Sequence, residues 1–161
     1  MKRIPLLPGY FRWIGLVLVF ISVLIFLNDF YLPLTTYEFS DLTLRTFVIA
    51  DNTPFRDGGP VYFGFSDVNL GFVLVVLGTL VGLCGIAFSR KVIEDEFING
   101  LRLFAWSWAI ILSILYAVTA NLLVFGTQYL SLMVLFPHLL LTLFILIFNV
   151  QWWRFSKRRD Q

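Results

Sequence analysis

One histidine, His138, lies inside a long segment that is otherwise free of ionisable side chains, and Ser131, Thr142 and Asn149 recur around it at spacings of seven, four and seven residues. Those intervals put the four side chains on one face of a helix. Pro137, directly before the histidine, removes a backbone donor and so frees the carbonyl of Met133. An imidazole near the middle of a membrane can carry a proton, hold a small polar ligand or pair with a neighbour. Tyr116 and Ser113, in the preceding apolar segment, are the side chains expected to meet it. His138, Tyr116, Ser113 and Thr142 therefore form the candidate ligand-binding set, for a lipid, a quinone or a proton. The plainer reading is a neutral imidazole hydrogen-bonded to Tyr116, Ser113 or the freed carbonyl. No second His, Asp, Glu or thiol is placed to complete a metal site, and the lone Cys84 does not supply one, so no cofactor is expected.

A second group of chemically capable residues is the charged stretch Ser89–Arg102, S-R-K-V-I-E-D-E-F-I-N-G-L-R. Arg90, Lys91 and Arg102 are three of the chain's 12 basic residues, and Glu94, Asp95 and Glu96 three of its 10 acidic ones. Between two apolar segments, such an island offers charge of both signs to a partner, so these six are the candidate partner-binding residues. A structural account is also complete: the acids sit in a first helical turn, where they complement the positive end of the helix dipole. Asn99 and Arg102, three apart, would continue the polar side of that helix, opposite Ile93, Phe97, Ile98 and Leu101.

The elements that position these residues follow from the bilayer. The mean hydropathy is +0.86 and only 14% of the 161 residues are charged, against about a quarter in soluble domains. A helix crosses the hydrocarbon core in about 20 residues. Trp13–Asn28, flanked by Arg12 and Asp29, and Val68–Ser89 are the first two candidates. Leu103–Trp153 runs 51 residues without Asp, Glu, Lys or Arg; as one helix it would be roughly 77 Å long. It must fold back, and Phe125-Gly126-Thr127-Gln128 is the natural turn. The expected architecture is an all-α membrane protein, a four-helix transmembrane bundle in up-down-up-down order. Its spans fall near residues 11–30, 68–89, 100–124 and 128–153, joined by an extracytoplasmic loop 31–67 and a cytoplasmic loop 90–100, with a tail 154–161. Leu27-Asn28-Asp29 lacks the small residues that signal peptidase needs, so the first span is expected to be retained.

Ten of the basic residues lie at the N-terminus, in 89–102 or in the C-terminal tail, whereas 31–67 holds two against five acids. Both termini are therefore expected in the cytoplasm, with Trp13, Trp152 and Trp153 at that interface. Basic residues confined to span ends leave no footprint for nucleic acid. Within 31–67, Leu42–Ala50 and Val61–Phe65 are rich in β-branched and aromatic residues, and Asn52, Pro54, Gly58 and Gly59 between them form turns. A short β-hairpin follows, an aromatic-rich lid or ligand cap, with Ser66 or Asp67 capping the second span. Gly71, Gly78, Gly82 and Gly85 line one face of that span. In lipid such a face brings backbones close, either within the chain or between copies in a homo-oligomer. The third span has Ser113, Ala117, Ala120 and Asn121 on a comparable face.

The run E-D-E-F-I-N-G-L-R with Trp106 after it resembles small four-span inner-membrane proteins of Bacteroidota, a group with no assigned activity, through the motif E-D-E-x-I-x-x-L-R before the third span. The likeness is greatest over about residues 85–159. It implies a bacterial inner-membrane address and a regulatory pairing with a small helix-turn-helix protein. No nucleophile–base pair, phosphate loop or H-E-x-x-H motif is present, so the expected function is non-enzymatic. The chain reads as a sensor, regulatory or accessory subunit surrounded by membrane lipids and docking through its charged loop.

Overall fold

The computed structural model describes residues 6–30, 42–51, 61–90 and 96–159. They form α1 (Phe11–Phe30), β1 (Thr43–Asp51), β2 (Val61–Asn69), α2 (Leu70–Ala87), α3 (Glu96–Leu123) and α4 (Thr127–Arg159). All four helices are long and apolar enough to cross a membrane, so the chain is built as a multi-pass membrane protein. It is not purely α, because β1 and β2 make a two-stranded sheet. Two compact units are formed, one of Phe20–Gly78 and one of Met1–Val19 with Thr79–Gln161.

In the first of these, β1 and β2 pair antiparallel with Arg45 opposite Asp67, Thr46 opposite Ser66 and Phe47 opposite Phe65. The last pair meets edge to face at 5.8 Å between ring centroids. Phe63 is held at φ 48°, a left-handed conformation that strains an aromatic residue and interrupts the pairing. Both strands run beyond the expected segments, and β2 passes straight into α2. Ser66 and Asp67 therefore lie within β2, before the residue that precedes α2; Ser66 is 1% exposed. The first amide of α2, on Leu70, donates instead to the Leu42 carbonyl at 2.9 Å. The turn formers Asn52, Pro54, Gly58 and Gly59 lie outside the described residues.

In the second unit α3 and α4 pack along each other. The buried side of α3 is Ile98, Arg102, Ala105, Ala109, Ser113 and Ala120. Residues Ala105, Ala109 and Ser113 repeat every four residues and leave room for the large side chains of α4, Leu141, Phe144 and Phe148. Ala117 is only half-buried and Asn121 is exposed, so the small-residue face lies further toward the start of α3 than expected. The rings form a ladder: Phe88 to Trp106 at 5.8 Å, Trp106 stacked on Phe144 at 4.3 Å, Phe144 on Phe148 at 5.9 Å.

The turn falls where expected. Gly126 takes φ +80°, a conformation that favours glycine, and the Tyr129 hydroxyl donates back to Asn121 Oδ1 at 2.9 Å. Helix α4 continues through Pro137 and on to Arg159, so most of the expected tail is helix. Basic residues suit a helix C-terminus, and Phe155 packs on Phe97 of α3 at 4.3 Å.

Candidate functional site

The charged stretch divides once its backbone is traced. Helix α2 ends at Ala87, and its last carbonyls need partners. The Phe88 amide donates to Cys84, the Ser89 hydroxyl to the Ile86 carbonyl at 2.9 Å, and the Leu7 amide to the Phe88 carbonyl at 3.0 Å. Arg102 Nη2 donates to the Ser89 carbonyl at 2.8 Å. Its guanidinium also lies 5.3 Å from the centroid of the Phe148 ring. Arg102 is thus 5% exposed, on the buried side of α3 rather than on its polar side. The physical reason is that a cation beside a helix C-terminus meets both the orphan carbonyls and the dipole. It is withdrawn from the partner-binding set. Arg90 and Glu96 are exposed, Glu96 in the first turn of α3. Lys91, Glu94 and Asp95 lie outside the described residues.

The N-terminal segment completes this end of the unit. Leu7 and Ser89 form a parallel bridge, and the Arg90 amide donates to the Leu7 carbonyl at 2.9 Å. Arg12, in the first turn of α1, is thereby held near Arg90, and both line one small cavity with Ser89 and Asn149. In the sequence Arg12 is a topology signal and Arg90 both that and a candidate partner-binding residue; the pairing of Leu7 with residues 88–90 has no pattern by which to find it.

The polar set around His138 does not assemble. Its Nδ1 lies 3.0 Å from the Val134 carbonyl, one turn back on α4, and its Nε2 3.0 Å from Thr79 Oγ1 on α2. A carbonyl only accepts, so Nδ1 carries a proton and donates to Val134, and Nε2 and the Thr79 hydroxyl share one hydrogen bond. Tyr116 donates to the Leu132 carbonyl at 3.1 Å. Ser113 is fully buried and its hydroxyl has no hydrogen-bond partner. Thr142 is exposed, so the four expected stripe residues do not share one environment. Thr79, which the sequence reading passed over, is the side chain that meets the imidazole; it follows Gly78 on the apolar second span, where a hydroxyl is a visible exception. Among the described residues no group of three or more His, Cys, Asp or Glu comes together.

The glycine face is used inside the chain. A Cβ on Gly82 would sit 2.8 Å from the Gly15 carbonyl oxygen, and one on Gly15 2.5 Å from that of Gly82. A Cβ on Gly85 would approach the Phe11 carbonyl at 3.2 Å. In the other unit, one on Gly78 would meet Ser22 Oγ at 2.5 Å. Gly71 is buried. The intramolecular alternative thus accounts for Gly78, Gly82 and Gly85, and a homo-oligomer through these three would have to displace α1.

Two open clefts flank the basic end of the α3–α4 pair. One, of about 350 Å³, is lined by Phe97, Gly100, Leu101, Phe104 and Gln151. The other, of about 210 Å³, shares Phe97, Leu101 and Gln151 and adds Arg154 and Phe155. Compared with protein-family models, with curated proteins and with solved structures, the chain matches none.

Proposed function

We propose that this chain is a non-enzymatic accessory or regulatory subunit of the membrane, and that it receives an amphipathic helix of a protein partner on the ledge between the start of α3 and the end of α4. The observation that carries the reading is the adjoining pair of clefts, with aromatic walls (Phe97, Phe104, Phe155) and Arg154 in the lining, while Glu96, next to Phe97 in sequence, is exposed. Such a groove suits a helix with an apolar stripe and polar flanks. Helix length supports the placement: the 33 residues of α4 extend about 50 Å, some 20 Å more than a hydrocarbon core. The surplus lies at the basic end, where lipid tails do not fill a cleft. Trp153, beneath Lys157 at 5.6 Å, marks the interface there.

The distribution of Lys and Arg supports a cytoplasmic position for this end, and the likeness to Bacteroidota four-span proteins supports a bacterial inner membrane and a regulatory partner. Arg90, Glu96, and from the sequence Lys91, Glu94 and Asp95, extend the docking surface. The reading of a small-molecule site on His138 has less behind it, since Tyr116 and Ser113 do not reach the imidazole. A photo-crosslinking residue placed at Phe97 or Leu101 in native membranes tests the proposal. A discrete polypeptide adduct is expected there, with only lipid adducts from Leu115 on the exposed side of α3. Lipid adducts alone from both positions would end the docking reading.

A further inference from the structure

We infer that the basic end also holds a binding site for a phosphate-bearing anion, formed by Arg12, Arg90 and Asn149. These residues come from α1, the segment after α2, and α4, and line one cavity of about 20 Å³ with Ser89 above an apolar floor that includes Ile86 and Phe148. That volume takes about one water-sized group, enough for a single phosphoryl oxygen, with the rest of the phosphate outside it, within reach of the two arginines, which are both exposed residues. Arginine forks match phosphate geometry in a way that a point charge does not.

Four features favour a built site over two surface cations. The two arginines share one cavity although like charges repel, and neither side chain forms an ion pair or hydrogen bond with a described residue. Their backbones are fixed, Arg90 by the Leu7 carbonyl at 2.9 Å and Arg12 by the Gly9 carbonyl at 3.3 Å. Ser89 is held in place by both its polar groups: its carbonyl accepts from Arg102 and its hydroxyl donates to Ile86. The Asn149 amide is half-buried at the cavity, also without a described side-chain partner, and supplies a neutral donor. Arg102, over Phe148, adds a third positive charge behind the floor. The start of α1 and the end of α2 meet at this cavity, and basic pockets between helices at the ends of spans suit anionic headgroups. The site is separate from the α3–α4 cleft, which none of the three residues lines.

The test is native mass spectrometry of the full chain in mild detergent, titrated with phosphatidylglycerol or with phosphatidylcholine. Tighter retention of phosphatidylglycerol is expected, with a loss of about fivefold for Arg12→Gln and for Arg90→Gln, as for one cation near a headgroup. Lys157→Gln removes the same charge from the same end outside the cavity and should change retention by less than about twofold. Asn149→Leu keeps every charge and should still weaken binding. Arg12→Lys/Arg90→Lys serves if the glutamine variants fail to fold, and retention lower than wild type is expected because the forks are gone. Inorganic phosphate that displaces the lipid would identify phosphate itself as the recognised group; failure to displace it would identify the lipid, and either result upholds the site. Equal losses for Lys157→Gln and Arg90→Gln, or no preference between the two lipids, would overturn it.

Discussion

The contact of α1 with α2 and the contact of α3 with α4 answer the same problem in opposite ways. At Gly15 and Gly82 backbone meets backbone: the carbonyl oxygen of each stands within 3 Å of where a Cβ on the other would be, and Val19 Cγ2 closes on Gly82 from the same helix as Gly15. Between α3 and α4, small residues on one helix receive rings from the other, with Trp106, Phe144 and Phe148 filling the gap. Lipid tails are as apolar as the helices, so neither contact draws much on the hydrophobic effect. The first gains from backbone proximity and tolerates no added atom. The second gains from dispersion over large rings and tolerates no removed one.

Unfolding measured in mixed micelles or bicelles can break this comparison. The largest effect is expected from Phe144→Ala, which empties the centre of the ring ladder; a loss of about 3 kcal/mol is expected, the low end for such truncations since lipid also solvates the ring. Loss of less than half that would mean that Trp106 and Phe148 close the gap. Next comes one substitution made twice. Gly82→Ala should destabilise by about 1–3 kcal/mol through overpacking. Gly100→Ala, in α3 where nothing lies within 4 Å, should stabilise by up to about 1 kcal/mol from helix propensity. The same sign at both sites would deny the close approach. The smallest effect is His138→Phe, about 0.6 kcal/mol for one interhelical hydrogen bond in a membrane. A loss several times larger would make the contact to Thr79 a principal clamp.

The long apolar runs made four spans legible, because a bilayer sets helix length directly. Gly126 made the last turn legible, since a positive φ favours a residue without Cβ. The glycines of α2 announce a close contact but not its partners, Gly15 and Ser22, two small residues in a span of large ones. The failures concern polar groups. The spacing of Asn99 and Arg102 within α3 predicts a shared exposed face, although the position of Arg102 is dictated by the end of α2. For His138 the sequence offers Tyr116, Ser113 or a carbonyl of its own helix; the structure pairs it with the Val134 carbonyl and with a threonine 59 residues away. Periodicity tells which residues share a face, and an unfilled carbonyl on a distant element can outweigh it.

The parallel bridge between Leu7 and Ser89 has a consequence for how the chain is made. At 5–20 residues per second, the ribosome delivers Ser89 on the order of ten seconds after Leu7. Through that interval the early stretch has no mate, and the groups that will join it to Phe88 and Arg90 stay with water or headgroups. The knot that gathers Arg12 and Arg90 can be tied only after the second span has entered the bilayer, so its closure records that insertion has succeeded.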